Sequence, residues 1–71
     1  MKVDKLLKKY LGLVDVEFYE NKHFIKRTTT RDIYALCKCD LKYSNLLNSK
    51  IKSYRIVVIA GVVVIQINIK S

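Results

Sequence analysis

The chain has 71 residues, of which 51% are apolar, and a formal charge of +8 from 14 Lys and Arg against 6 Asp and Glu. A chain this short buries only about 60% of the surface its unfolded form exposes, which leaves room for one domain, residues 1–71, and argues against a large private core. So much apolar content on so small a fold points to surface shared with another copy or partner.

Residues 3–11 place Val3, Leu6, Leu7, Tyr10 and Leu11 on one helical stripe with Lys5, Lys8 and Lys9 between them, and Gly12 stops the helix. From Val14 the period changes to two: Val14, Val16 and Phe18 alternate with Asp15, Glu17 and Tyr19, the pattern of a strand with one wet face. A turn is expected at residues 20–22, since Asn21 tolerates positive φ. Residues 23–30 and 33–41 are predicted as the second and third strands, and the turn-rich composition of 43–50 as a loop. Residues 52–59 and 62–69 complete five strands, broken at Gly61, with Val63, Ile65, Ile67 and Ile69 on one face of the last. The lack of proline removes one usual protection of sheet edges, so edge pairing between subunits is expected.

All six acids, Asp4, Asp15, Glu17, Glu20, Asp32 and Asp40, precede residue 41, so the rest of the chain carries only cations. Such a balance suits phosphate-rich partners, because each neutralised phosphate releases counterions; an acidic protein or an anionic membrane surface would satisfy the same charge. Cys37 and Cys39 form a C-x-C pair expected to point to one side of a strand as small buried hydrophobes, not a disulfide framework, and a cytoplasmic location follows. The N-terminus shows no signal-peptide pattern, and the apolar run 56–65 is too short to cross a bilayer as a helix. With His23 as the one histidine, no metal site and no cofactor are expected. No nucleophile with a base, phosphate loop or carboxylate pair is present by motif, so an enzyme is the least favoured class.

A helix followed by Val14-x-Val16-x-Phe18, a turn near Asn21, Asp32 two residues before Tyr34, and Ile59-Ala60-Gly61-Val62-Val63-Val64-Ile65-Gln66-Ile67 resembles the Sm, LSm and Hfq family over nearly the whole chain. The resemblance implies a mainly β fold: a short N-terminal α-helix and a strongly bent five-stranded antiparallel Sm-like (SH3-like) barrel. It further implies that the fourth strand of one subunit pairs with the fifth of the next, closing a homo-oligomeric ring of about six to eight copies. Val57, Val58, Ile59, Val63, Ile65 and Ile67 would form that interface. Tyr34 keeps the family's base-stacking position, but Leu36 stands where an Asn would hold the uridine, Ala60 where an Arg would back it, and Lys26 where a Gly bends the second strand.

The function expected is therefore single-stranded RNA binding with relaxed sequence preference. Its candidate residues are Tyr34, Arg31, Asp32, Arg27, Lys26 and Gly61, with Lys5, Lys8 and Lys9 on the helix. Alternation places Arg27 and Arg31 on one strand face and Lys26 on the other. Two alternatives stay open: a small interaction or inhibitor protein, such as a virus encodes, acting through a basic face or a β edge, and an Sm scaffold with a purely structural role.

Overall fold

The computed structural model describes residues 1–10, 12 and 14–70. Helix α1 (Val3–Leu7) runs on as a 3₁₀ turn (Lys8–Tyr10) and buries Val3, Leu6 and Leu7, as the stripe predicts; Leu11 lies outside the described residues. Strands β1 (Asp15–Glu20) and β2 (His23–Thr29) form a hairpin across Asn21 and Lys22, both at positive φ. Helices α2 (Thr30–Leu36) and α3 (Leu41–Asn48) follow, and a second hairpin joins β3 (Ile51–Ile59) to β4 (Val62–Ile69) through Ala60 and Gly61.

Among the described residues the strands form one open sheet in the order β2-β1-β4-β3, so the five-stranded closed barrel is corrected to a four-stranded mixed sheet with three α-helices. The central pair β1 and β4 is parallel, and both hairpins are antiparallel. Both sides of β4 are thus occupied within the chain, which removes the fourth-to-fifth-strand pairing through which a ring was expected to close.

The third predicted strand, 33–41, is instead helix α2 and the turn after it, because local hydrogen bonds there favour a helix start. The Thr29 hydroxyl accepts from the Asp32 amide at 3.0 Å, capping a helix that turns Ile33 into the core. The predicted loop 43–50 is mostly helix α3 for the same reason: the Asp40 carboxylate accepts from the Lys42 amide at 3.0 Å, and Tyr43, Leu46 and Leu47 fall on one helical face. Cys37 and Cys39 accordingly do not share a strand face; Cys37 ends α2 and Cys39 is exposed in the turn that follows.

All three helices lie on one face of the sheet. Under them Val16 and Phe18 of β1 meet Ile65, Ile67 and Ile69 of β4, and Val3, Leu6, Leu7, Ile33, Tyr43, Leu46 and Leu47 close over them. Ile65 and Ile67 are fully buried there, so these two members of the expected oligomer interface belong to the chain's own core. Val58, Ile59 and Val63 are exposed and Val57 is half-buried.

Candidate nucleic-acid interface

Side chains alternate along a strand, so the residues that do not meet the helices line the opposite, open face. Arg27, Glu17, Gln66 and Arg55 stand abreast on the four strands by register. They are bonded in sequence across the sheet: Arg27 Nη1 donates to Glu17 Oε2 at 3.2 Å, Gln66 Nε2 to Glu17 Oε1 at 2.9 Å, and Arg55 Nε to Gln66 Oε1 at 2.7 Å. Arg27 Nη2 also donates to Asp15 Oδ2 at 2.6 Å, and that bond pushes the guanidinium further up from its already high value, fixing its charge. The terminal nitrogens of Arg55 make no hydrogen bond among the described residues and stay available to a ligand.

One row further along, Phe24, Tyr19, Asn68 and Ser53 stand abreast. The rings of Tyr19 and Phe24 meet edge to face with centroids 5.6 Å apart, and Phe24 is 55% exposed. Burial, followed by the hydrogen bond to Glu17, pushes the Tyr19 hydroxyl up, so it remains a protonated donor. The buried side-chain oxygen of Asn68 has no donor among the described residues. Tyr19, Lys22, Ser53, Tyr54, Arg55, Gln66 and Asn68 line a shallow basin of about 520 Å³.

The end of the sheet beside this basin gathers lysines from distant parts of the chain. Lys2 bridges to Lys50 in an isolated antiparallel contact, and the Lys70 amide donates to the Lys50 carbonyl at 2.9 Å. Lys52 sits where the β3–β4 register shifts, and Lys22 occupies the turn that follows Glu20, itself paired with Ile69 at the same end. All five lysines are exposed, and none forms an ion pair among the described residues.

The residues expected to bind RNA are dispersed over both faces. Arg27 is on the open face, as alternation requires, while Lys26 lies on the helix side with its ammonium 5.0 Å from the centre of the Tyr43 ring. Arg31, Asp32 and Tyr34 belong to α2, so Arg31 shares no strand face with Arg27, and Tyr34 is no strand-end stacking platform. The Tyr34 hydroxyl donates to Asp4 Oδ1 at 2.6 Å, tying α2 to α1, and the ring is half-buried. That bond is the main reason the Asp4 carboxyl lies below its ordinary range; burial first, then Asp4, pushes the Tyr34 hydroxyl up. Lys5, Lys8 and Lys9 are exposed on the helix layer, with Lys8 paired to Asp4 at 3.3 Å, and Gly61 serves the β3–β4 turn at φ 78°.

Residue-by-residue reading missed Tyr19, Phe24, Arg55, Gln66, Asn68 and the lysine cluster. The alternation that puts Tyr19 opposite Phe18 was legible, but its neighbours come from the pairing of β1 with β4. Among the described residues no group of three His, Cys, Asp or Glu side chains is placed to hold a metal, and no helix is long and apolar enough to cross a membrane. No protein-family model, curated protein or solved structure matches the chain.

Proposed function

We propose that the protein binds single-stranded RNA across the open face of the sheet, with phosphates at the lysine-rich end and bases over Tyr19 and Phe24. The observation that carries this reading is that Lys22 lines an aromatic and amide-lined basin at the sheet end where the backbones of Lys2, Lys50 and Lys70 meet and Lys52 lies next along β3. Unpaired lysines neutralise phosphates and release their counterions, which supplies affinity without regard to sequence. A base stacked on an aromatic ring adds about 1–3 kcal/mol and is equally tolerant of sequence. Arg55, Gln66 and Asn68 offer a few donors and acceptors for base edges, too few for stringent readout, so sequence preference is relaxed.

The activity is binding without chemistry. The test is fluorescence anisotropy of a labelled single-stranded RNA titrated with protein over a range of salt concentrations. Affinity falling steeply with salt, and falling again on Tyr19→Ala in a correctly folded variant, is the expected result. No binding at low salt, or binding lost on Lys8→Gln/Lys9→Gln and unaffected by Lys50→Gln/Lys52→Gln, would refute the assignment to the open face.

A further inference from the structure

The two edges of the sheet differ in kind. Strand β2 carries Lys26 and Arg27, and its pairing with β1 is interrupted by a register shift, both of which discourage pairing with another chain. Past Ile51, whose amide donates to the Met1 carbonyl at 2.8 Å, strand β3 carries Tyr54, Ile56, Val57, Val58 and Ile59 along an edge that no other strand pairs among the described residues, with Arg55 as the one charge from Ser53 to Ile59. Tyr54, Ile56 and Val58 are 44%, 46% and 69% exposed, although their register partners Ile67 and Ile65, and the neighbouring Val63, place them on the helix-covered side.

Backbone geometry says which groups are free. The two-residue turn, with Ala60 at φ 51° and Gly61 at φ 78°, closes Ile59 against Val62 in a hydrogen-bonded pair. Hydrogen-bonded positions alternate from there, so Ile59, Val57 and Arg55 direct their amide and carbonyl groups toward β4, and Val58, Ile56 and Tyr54 direct theirs outward.

We propose that two copies of the chain join through this edge, antiparallel about a two-fold axis at Ile56, to form one continuous sheet. That register sets Ile56 against Ile56 of the second copy and Tyr54 against its Val58, giving about six backbone hydrogen bonds between chains. Charge rules out the neighbouring register at Arg55, and overlap rules out the one at Val57, which would set Tyr54 against Ala60 of the turn. Centring the axis on Arg55 would set two guanidinium groups directly opposite each other, a destabilising pair, whereas centring it on Ile56 places each Arg55 opposite Val57. Apolar residues then face apolar residues on the helix side, and the strand is complementary to itself, as a two-fold interface demands. This dimer stands independently of RNA binding.

Sedimentation equilibrium at high salt tests it. The wild type is expected at twice the 8.3 kDa of one chain, and Ile56→Lys, which puts two ammonium groups on the axis, at the mass of one chain with unchanged circular dichroism. A second readout guards against misfolding. In a Cys37→Ser/Cys39→Ser background, Ile56→Cys treated with oxidised glutathione should form an interchain disulfide, because the Cα atoms of such a pair are about 5.5 Å apart, within disulfide range. Val58→Cys in the same background should not, being four residues out of register with itself. A wild-type monomer at all concentrations, a ring-sized mass, or Val58→Cys crosslinking as readily as Ile56→Cys overturns the proposal.

Discussion

Gln66 holds Glu17 with one end of its amide and Arg55 with the other, at 2.9 and 2.7 Å, so a single side chain on β4 links the charges of β1 and β3. Glu17 is only 9% exposed and depends on such donors, receiving Arg27 and the Tyr19 hydroxyl as well. Gln66→Leu keeps the side-chain bulk but removes both bonds. Unfolding in urea should show a loss of about 1–2 kcal/mol, and RNA affinity should also fall as Arg55 loses its anchor. Unchanged stability and affinity would mean that the row is ornamental to both.

The lysine-rich end makes a quantitative prediction. For every phosphate that a variant no longer neutralises, the slope of log affinity against log salt becomes shallower by about 0.7 on a single strand. Lys50→Gln/Lys52→Gln should therefore reduce the slope by about 1.4. The same exchange at Lys8 and Lys9 on the helix layer should leave it unchanged.

Tyr34 and Asp4 predict a pH dependence of stability. The Tyr34 hydrogen bond lowers the Asp4 pKa in the folded state, so its contribution is present above the unfolded carboxyl pKa and lost as pH falls through the depressed folded value. Tyr34→Phe should cost about 1 kcal/mol at neutral pH, discounted for the partial exposure of Asp4, and the difference from wild type should narrow in acid. Thermal unfolding of both proteins from neutral to strongly acidic pH measures it. A difference that is constant with pH would assign the role of Tyr34 to packing alone.

Ile67→Ala distinguishes a core residue from an interface residue. With Ile67 fully buried among Phe18 and the helices, the truncation should cost about 2–5 kcal/mol by urea denaturation, with the solution mass unaltered at temperatures where the variant is folded.

Ala60 occupies the left-handed region at φ 51°, where a β-carbon is strained, ahead of Gly61 in a turn that favours Asn-Gly. Ala60→Asn should stabilise the fold by about 0.5–1 kcal/mol, read as a higher urea midpoint at unchanged slope.

Four of the five predicted strands were legible because alternation is a local signal: Val14, Val16 and Phe18 turn inward whatever lies elsewhere in the chain. Helices α2 and α3 were not read, since Ile33 and the Ser and Asn residues around Tyr43 favour strand and turn, and the signals that decide are the Thr29 and Asp40 caps. The Asp40 cap followed by Tyr43, Leu46 and Leu47 was visible in principle; the turn composition of the same segment outweighed it. The lysine-rich end could not be read locally at all. Lys2 and Lys70 lie at opposite ends of the sequence and meet around Lys50 only once the strands have paired.

The parallel pairing of β1 with β4 also orders events in folding. Each hairpin closes over a two-residue turn and can form early, but Asp15 reaches Val64 only after a loop of about fifty residues is brought together. The slow step is thus the docking of two preformed hairpins, and until it occurs Phe18, Ile65 and Ile67 have no shared core to enter. Substitutions at the hairpin tips, already formed at that step, will mainly slow folding, whereas those at the β1–β4 seam, whose contacts are completed as docking finishes, will also speed the opening of the native state.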